Sequence, residues 1–536
     1  KTGLPTSDFM RQQKRTSTKV GKLMILRSRS RQERVQYKAM RTKAMRTKAI
    51  IAAATLTALV FGSAATAAEQ TLDTRIGKLT FTHDFANGYP TDETVQKLYD
   101  ERDFQRAVQV YLWATPMVSN GGNGRVLTSG KGAQNGDLIE FSKPAGLSRF
   151  LTPNVTTPYM LGWLNLSKSP LVIELPAGPS AGYVDDLWQR PVMDVGLPGI
   201  DKGKGGTYLL LGPGQKAPKD SKDYIVVKSP NFNNIFLFRL LSPDTKVQDA
   251  MRAKMRIYPY GQPRPKSLRK GTINSSETFV GSNPRGMAFW TTLSKLVNDE
   301  PVHERDRIMM AMLRSIGIEK GKPFKPTKRQ VEILTEATLV GEAMAKANDF
   351  AKRDMPLADY AKGTHWEFAL VLDPSQETKY YTQLDERAAW FYEAATAAYG
   401  MVSKKPGIGS TYLSTYKDSD ENWLDGGNNY VLHLPANVPA KNFWSMTFYD
   451  VDSRTLIKNG TDHVDINSRH DLVINKDGSI AGTNIIQKIQ DNCILKENWV
   501  SAKGNFTGTS LNFYNSTRSE ERRVGKECRS RWSPYY

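Results

Sequence analysis

Residues that could do chemistry are few in this chain of 536 residues, and they are widely spaced. Of the six histidines, only His463 and His470 fall in one local stretch, where aspartates accompany them. Carboxylates and imidazoles together could bind a metal ion, but a polar loop exposed to water has the same composition, and we favour that interpretation. His463 and His470 are therefore weak candidates for metal ligands, and the sequence identifies no cofactor.

The motifs of familiar catalytic sites are missing. Ser410 follows Gly409, but the surrounding residues do not form the G-x-S-x-G pattern of a nucleophile elbow. His365 lacks the second histidine that a zinc-binding H-E-x-x-H helix requires. Two glycine-rich stretches, at residues 203–206 and 212–214, lack the spacing of a phosphate-binding loop and predict hairpin turns. The sequence thus predicts no catalytic residue.

An acidic pair lies inside a predicted strand. Asp185 and Asp186 come shortly before Trp188, and a buried aspartate is costly unless it is paired. Arg190 and Arg239 are the basic residues that we expect to pair with it. A structural ion pair is favoured over an acid–base dyad.

Aromatic residues beside acids and amides could line a cleft for a sugar or another small ligand. The alternative is that these residues pack in the hydrophobic core, which is the more common role of such residues. The candidates for ligand binding are Asn154, Thr157, Tyr159, Asp186, Trp188, Arg239, Trp444, Tyr449 and Asp450.

The elements that must position these residues point to an α+β chain. Between Trp423 and Asp450, two apolar strands flank a proline-bounded turn, which favours a β-sandwich over a β-α-β unit. Short strands with frequent turns also fill residues 146–240, whereas helical periodicity recurs within residues 289–399. The order is therefore helix, β, helices and β, and α+β is the predicted fold class.

Single residues predict where three helices begin or end. The helical stretch around Leu112 is expected to end at Pro116, because proline breaks an α-helix. Thr327 is expected to cap the helix that it precedes. The last helix of the central region is expected to run from Asp385 to Tyr399, where Gly400 ends it.

The first residues of the chain predict export. Residues 1–48 hold 15 lysines and arginines against two acidic residues, and a basic stretch from Met40 leads into apolar residues and then into small residues ending at Ala67. That order is typical of a cleaved secretory signal peptide, and an uncleaved membrane anchor is the alternative. We therefore predict residues 1–44 to be untranslated or disordered and residues 45–68 to be a signal peptide. The protein is expected to be periplasmic or secreted, with no stable membrane insertion after cleavage.

Setting both ends aside changes the charge and the cysteine count. Residues 518–536 look like the in-frame translation of a sequencing-library adapter, and we expect them to be non-native. The two basic ends account for +16 of the net charge of +20, which leaves +4 for the rest. So small a charge does not predict nucleic acid as a partner. Cys493 is the one cysteine outside the tail, so no intramolecular disulfide is expected.

Several long motifs resemble those of one bacterial family. They are GYPTDETVQKLYDERDFQRAVQVYLWATP, TPNVTTPYMLGWLNLSKSPLVIELP and GGTYLLLGPG in the first half, and LDGGNNYVLHLPANVPAKNFWSMTFYD in the second. The chain is similar to the family that joins domain of unknown function 1254 to domain of unknown function 1214. This resemblance implies an immunoglobulin-like β part with helices, intertwined with a C-terminal jelly-roll β-sandwich. It implies no established reaction.

The resemblance also implies domain boundaries. An α+β domain similar to domain of unknown function 1254 is expected over residues 69–275, and a helical segment over residues 276–400. A jelly-roll domain similar to domain of unknown function 1214, truncated at its C-terminal end, is expected over residues 401–517. In the family motif that covers residues 154–159, an aspartate is replaced here by Thr156, which weakens any acid role at that position.

The leading hypothesis is an exported protein that binds a small molecule or a glycan in a cleft between its two β domains. A hydrolytic or metal-dependent enzyme is the first alternative, and an assembly or structural protein built from jelly rolls is the second. Nucleic acid is not an expected partner, and a homo-oligomer is left open.

Overall fold

The structure is a computed structural model that describes residues 68–128, 132–147, 149–272, 281–360, 363–402, 409–425, 430–457, 463–484 and 506–514. Cys493, the adapter-like tail and the predicted signal peptide, apart from Ala68, lie outside the described residues. The chain forms two compact units, Lys1–Thr94 and Val95–Tyr536. In the first unit, the first two strands pair as an antiparallel hairpin.

In chain order, the elements are β1 (Gln70–Thr74), β2 (Gly77–Phe81), α1 (Asp92–Thr128), β3 (Ile139–Phe141), α2 (Pro144–Leu147), β4 (Tyr159–Asn165), β5 (Leu171–Leu175), β6 (Ser180–Asp186), β7 (Pro191–Gly196), β8 (Gly206–Leu211), β9 (Ile225–Lys228), β10 (Asn233–Leu240), α3 (Thr245–Lys254), β11 (Arg256–Pro259), α4 (Met287–Asp299), α5 (Arg307–Ser315), α6 (Lys328–Phe350), β12 (Glu367–Phe368), α7 (Leu384–Glu393), β13 (Ser410–Thr415), β14 (Val431–Leu434), β15 (Phe443–Asp450), β16 (Asp465–Asn467), β17 (Ile480–Asn484) and β18 (Phe506–Tyr514). Short 3₁₀ helices cover Ser221–Asp223, Glu304–Asp306 and Tyr399–Met401. The mixture of helices and several sheets confirms the α+β class.

Two sheets pack face to face in the first half of the second unit. Sheet A has the strand order β3-β4-β10-β6-β7, and sheet B has the order β11-β5-β8-β9. Successive side chains of a strand point to opposite faces. Phe236 and Phe238 of β10 therefore share one core cluster with Ile173 and Leu210 of sheet B. Leu237, which lies between them in the chain, belongs to a different core cluster.

The second face of sheet A packs against the C-terminal β region. There, sheet C has the strand order β12-β13-β18-β15-β16, and β14 pairs with β17. Leu161 and Leu237 of sheet A share one core cluster with Met446 and Phe448 of β15. Because sheet A is covered on both faces, β10 is buried along nearly its whole length.

Five helices, α1, α4, α5, α6 and α7, contribute to a further core cluster that contains Trp113, Trp290 and Leu313. Helix α6 begins where the sequence predicts, because Thr327 caps it. Thr327 Oγ1 accepts a hydrogen bond from Gln330 N at 3.3 Å, and Gln330 Oε1 accepts one from Thr327 N at 2.9 Å, which is a capping box. Among the helices that the structure describes, none is both long and apolar enough to cross a membrane.

The sequence predicts a helix end at Pro116, and this prediction is wrong, because α1 continues through the proline. Proline removes one backbone hydrogen bond from a helix interior. Side chains from other elements bond to carbonyl groups near this point. Arg387 Nη2 donates to Trp113 O at 2.5 Å, and Gln189 Nε2 donates to Pro116 O at 2.8 Å. These tertiary hydrogen bonds help to offset the local cost of the proline.

Candidate ligand-binding site

A partly enclosed cavity of about 150 Å³ lies on the face of sheet A that carries Arg239. Residues that face each other across neighbouring strands form the floor in rows. The first row is Tyr159, Arg239 and Ala181, and the second row is Leu161, Leu237, Tyr183 and Asp194. Strand pairing therefore places a cation, an acid and apolar side chains next to one another.

The walls of the cavity come from three other parts of the chain. They are residues 150–154, the segment of residues 394–401 that follows α7, and the start of β13 with Ser410 and Tyr412. Glu393, the last residue of α7, also lines the cavity. The cavity thus lies between sheet A and three other segments, one of which is the start of β13 in sheet C.

In the wall segment, residues 394–401, the chain has no regular structure up to Ala398, where a helix is predicted, and Tyr399–Met401 form a 3₁₀ helix. The expected helix end is Tyr399, but α7 ends before the segment begins. Thr396 has a φ of 69°, a conformation that costs a β-branched residue on the order of 1–3 kcal/mol. Thr396 N donates to Gln189 Oε1 at 2.6 Å, and Thr396 Oγ1 lies 2.7 Å from Tyr183 Oη. Trp390 Nε1 donates to Thr396 O at 2.7 Å. These contacts outweigh the helix propensity of the alanines in the segment.

Asp194 attaches the same wall segment to sheet A. Its carboxylate accepts hydrogen bonds from Gly400 N at 2.5 Å and from Tyr399 N at 3.2 Å. Burial raises the pKa of Asp194 to about 6, although both hydrogen bonds oppose the shift. At neutral pH, Asp194 is therefore ionised and bonded to the backbone of the wall.

Asp185 lies on the same face of β6 as Tyr183, because the two residues are two positions apart. Both carboxyl oxygen atoms of Asp185 are buried, and neither has a partner in hydrogen-bond geometry among the described residues. Burial, followed by the charges of Asp194 and Asp186, raises the pKa of Asp185 well above its usual value, and the nearby amide of Ala397 opposes this shift. Asp185 therefore binds a proton more tightly in the folded protein than in the unfolded chain.

The sequence predicts an arginine side chain as the partner of Asp186, but backbone amides bind its carboxylate instead. Asp186 Oδ1 accepts hydrogen bonds from Trp188 N at 2.8 Å and from Arg190 N at 3.0 Å. The guanidinium of Arg190 instead lies 3.6 Å from Glu377. The reason is the tight turn between β6 and β7, where an aspartate side chain bonds to the backbone that follows it.

Four of the sequence-predicted candidates come together around Arg239. Arg239 Nε donates to Thr157 Oγ1 at 2.8 Å, and Nη2 donates to Asn154 Oδ1 at 2.7 Å. The guanidinium carbon lies 4.6 Å from the ring centre of Tyr159. Asn154 Nδ2 in turn donates to Ser445 Oγ at 2.6 Å. These contacts fix the plane of a buried guanidinium in the wall of the cavity.

The three remaining aromatic candidates are not among the residues that line the cavity. Trp188 packs on Trp113, with ring centres 4.5 Å apart. Trp444 lies in the core cluster between sheets A and C. Tyr449 Oη donates to Pro153 O at 3.2 Å in a buried position. Their contacts are those of core residues.

The last acidic candidate and the two histidines also lie elsewhere. Asp450 Oδ1 accepts a hydrogen bond at 2.8 Å from a backbone amide in the turn after β15. His463 and His470 are both exposed, and His470 Nε2 lies 2.9 Å from Asn467 Nδ2. In the described part of the chain, no three histidine, cysteine, aspartate or glutamate side chains come together so as to bind a metal ion. Residues 458–462 of the same loop lie outside that part.

A buried acid network beside the cavity has no counterpart in the sequence prediction. Glu393 accepts a hydrogen bond from Tyr416 Oη at 2.9 Å. Lys352 Nζ lies 3.3 Å from Asp349 and also contacts Glu367. Burial, followed by the charge of Asp349, raises the pKa of Glu393 well above its usual value. Only the three-residue spacing of Asp349, near the end of α6, and Lys352, just after it, could have signalled this network.

The chain is similar to two solved structures at low sequence identity. One is the VPA0106 protein from Vibrio parahaemolyticus, at 16% identity and a TM-score of 0.49, over 81% of this chain and 98% of that chain. The other is an uncharacterised protein from Burkholderia cenocepacia, at 11% identity and a TM-score of 0.34, over 79% of this chain and 93% of that chain. Both scores are below 0.5, so neither similarity bears on function.

Two family models match the chain. The model for the protein of unknown function DUF1254 matches residues 138–259, and the model for the protein of unknown function DUF1214 matches residues 409–518. No curated protein matches the chain. Arg239 lies within the first match and Tyr412 within the second, so residues of both domains line the cavity. The two matches confirm the resemblance carried by the motifs, because residues 138–259 and 409–518 match the two domains of unknown function, 1254 and 1214, that the suspected family joins.

Proposed function

We propose that the protein binds a small organic molecule in the cavity between sheet A and the wall segment. The observation that carries this proposal is the buried guanidinium of Arg239 in the wall of a cavity of about 150 Å³. Ligand sites are usually concave and mostly apolar, with a few polar groups that orient the ligand. The cavity has this composition, because leucine, alanine and aromatic side chains form most of its lining.

The size of the cavity favours a small organic ligand over a glycan. In another protein, an engineered apolar cavity of about 150 Å³ binds benzene. A glycan of several sugar units needs a longer groove than a cavity of this volume. A single ring or a short chain is therefore the size of ligand that we propose.

The rigidity of the wall segment supports the proposal. Hydrogen bonds with three side chains hold Thr396 in its strained backbone conformation. Asp194 accepts hydrogen bonds from two backbone amides of the same segment. Strained residues are often held in this way at ligand sites. A wall that is already ordered lowers the entropy that a ligand must lose on binding.

The substitution Ala181→Leu tests the proposal. Ala181 lies beside Arg239 in the first row of the floor, so a leucine at this position takes up part of the cavity. A thermal-shift screen of small organic molecules on the wild type supplies the ligand, because binding to the folded state raises the melting temperature. We expect Ala181→Leu to weaken the binding of that ligand at least about 10-fold by isothermal titration.

A matched control is Ala253→Leu, which adds the same volume at an exposed position of α3. This variant should bind the ligand as the wild type does. Undiminished affinity in a folded Ala181→Leu protein would show that the ligand binds somewhere else, and the proposal would then fail.

The cellular location belongs to the same proposal. The signal sequence of residues 45–68 supports a protein that is exported to the periplasm or secreted. Cell fractionation of the full chain tests this, and a purely cytoplasmic protein would refute it. The immunoglobulin-like and jelly-roll descriptions of the two β regions are proposed on the strength of the family resemblance.

A further inference from the structure

Three residues with ordinarily charged side chains line the cavity in the described part of the chain, namely Arg239, Asp194 and Glu393. All three are buried, with exposed fractions of 5%, 7% and 7%. A buried charge is costly unless protein groups replace the water that it loses. The contacts of these three side chains therefore decide whether the cavity can receive a charged ligand.

Arg239 is bound within the wall of the cavity. Its Nε and Nη2 donate to Thr157 Oγ1 at 2.8 and 2.5 Å, and Nη2 also donates to Asn154 Oδ1 at 2.7 Å. The ring of Tyr159 covers one face of the guanidinium, with its centre 4.6 Å from the guanidinium carbon, and Arg239 has a further interaction besides these. A ligand carboxylate would have to replace Thr157 and Asn154 to form a bidentate pair with Nε and Nη2. Arg239 thus holds the wall together and is already engaged.

The two acids are engaged as well. Asp194 accepts hydrogen bonds from Gly400 N at 2.5 Å and from Tyr399 N at 3.2 Å. Glu393 accepts one from Tyr416 Oη at 2.9 Å. A ligand ammonium group would have to compete with these donors for either carboxyl group. Each charged side chain that lines the described cavity therefore has partners within the protein.

Uncharged polar groups around the cavity also bond to one another. Tyr183 Oη lies 2.7 Å from Thr396 Oγ1, and Trp390 Nε1 donates to Thr396 O at 2.7 Å. Thr152 Oγ1 donates to Glu393 O at 3.2 Å. These hydrogen bonds order the walls, and a ligand gains little by exchanging one such bond for another.

The rest of the lining is mainly apolar. Leu161 and Leu237 lie side by side on the floor, and Ile235 lies on the same face of β10 as Leu237. Phe150 and Met401 belong to the walls. Contact with apolar surface is favourable in proportion to the area removed from water and needs no directional partner. An apolar ligand can therefore gain affinity here without breaking a hydrogen bond of the protein.

Leu197 lies where the cavity meets the surface. It lines the cavity, yet it is 36% exposed. It belongs to the turn after β7, and Pro198 of the same turn packs so closely on Gly400 that a Cβ added to the glycine would lie 2.7 Å from Pro198 Cβ. A ligand that enters on this side meets an apolar side chain.

We propose that the ligand of this cavity is a neutral and mostly apolar molecule, either a hydrocarbon ring or a short aliphatic chain with at most one uncharged polar group. Its apolar part lies over Leu161 and Leu237, and the charged side chains hold the walls without pairing with it. An ionised ligand would lose its hydration without finding an unpaired counter-charge, so the cavity disfavours it. This inference rests on the proposed function, because it names the ligand class of the same cavity.

Isothermal titration of the full chain with two matched sets of molecules tests the inference. One set is toluene, benzoate and benzylammonium, and the other is hexan-1-ol, hexanoate and hexylammonium. The members of a set differ in charge and little in their apolar body. We expect the neutral member of at least one set to bind at least about 10-fold more tightly than both charged members, since only the charged members lose the hydration of an ion.

The substitution Leu197→Asn tests the apolar lining at nearly constant side-chain size. Because this position is partly exposed, the variant should fold, and we expect it to weaken the binding of the neutral ligand at least about threefold. The matched control is Leu339→Asn, which makes the same change at a position of α6 that is 68% exposed. The control should leave the affinity unchanged.

The outcomes separate the ligand class from the cavity itself. A charged member that binds as tightly as the neutral one in both sets, or undiminished neutral binding in a folded Leu197→Asn protein, would overturn the inference. Loss of that binding in Ala181→Leu would then keep the proposed function. A neutral ligand that binds equally well to a folded Ala181→Leu protein lies outside the cavity, and both proposals fail. If no member of either set binds, the inference fails, and the wider ligand screen decides about the proposed function by itself.

Discussion

Replacing Asp185 by asparagine should stabilise the protein at neutral pH. Both carboxyl oxygen atoms are buried without a hydrogen-bond partner among the described residues, and burial raises the pKa of Asp185 well above its usual value. The folded wild type therefore binds a proton at this site more tightly than the unfolded chain does, and this linkage costs stability as the pH rises above 3.8. An asparagine is neutral in the folded and unfolded states, so it needs no proton.

The magnitude follows from this proton uptake. The ordinary pKa of the aspartate is 3.8, and each pH unit above that value, up to the folded-state pKa, costs the wild type about 1.4 kcal/mol. The buried amide of the asparagine costs about 1–3 kcal/mol, because its own polar atoms lack partners. The asparagine variant should therefore become the more stable protein about one to two pH units above 3.8.

The pH dependence tests this reasoning more sharply than the net gain does. Because the folded-state pKa of Asp185 is raised, its contribution to stability is fully present below pH 3.8 and is lost as the pH rises towards the folded-state pKa. The free energy of unfolding of Asp185→Asn minus that of the wild type should therefore rise by about 1.4 kcal/mol per pH unit between pH 3.8 and the folded-state pKa. Urea unfolding, followed by tryptophan fluorescence at several pH values, measures this difference.

The exposed Asp354 provides the matched control. Asp354→Asn makes the same chemical change without a buried carboxyl group, so the corresponding difference should stay flat with pH. If the difference for Asp185→Asn is also flat, or falls as the pH rises, Asp185 is ionised in the folded protein and the reasoning is refuted.

Two further predictions concern Asp194 and Trp444. Burial raises the pKa of Asp194 from 3.8 to about 6, so its contribution to stability is lost as the pH rises through that window, and Asp194→Asn should remove up to about 3 kcal/mol of this pH dependence. An unchanged pH dependence in urea unfolding would contradict this expectation. Trp444 is 5% exposed, so Trp444→Ala should lower the free energy of unfolding by about 3–5 kcal/mol and leave the affinity of the folded protein for its ligand unchanged. Lost ligand binding at unchanged stability would instead place Trp444 in the site.

The periodicity of single strands was readable in the sequence. The short strands predicted over residues 146–240 are present there and include β5 and β10. Apolar alternation predicts such strands because the direction of a side chain depends only on its position along the strand. The periodicity does not say which strands are neighbours, and the rows of the cavity floor depend on that.

Local rules failed where tertiary contacts oppose them. Pro116 does not end α1, since Arg387 and Gln189 bond to carbonyl groups around it. The segment around Thr396 is not α-helical, since Gln189 and Tyr183 bond to Thr396 in its left-handed conformation. In both places, a residue distant in the chain supplies hydrogen bonds that no local pattern can show.

The sequence by itself determined the α+β class, the resemblance to the two domains of unknown function and the choice of Asn154, Thr157, Tyr159 and Arg239 as candidate site residues. Only the tertiary structure decided that these four meet beside a cavity, because β4 pairs with β10 and the residues before β4 fold against Arg239. The same fold separates Trp188 and Trp444 from the site, since an aromatic side chain serves a core as readily as a ligand. It also buries Asp185 and Glu393 far enough from water to raise their pKa values well above the usual ones, and burial is a property of the whole fold.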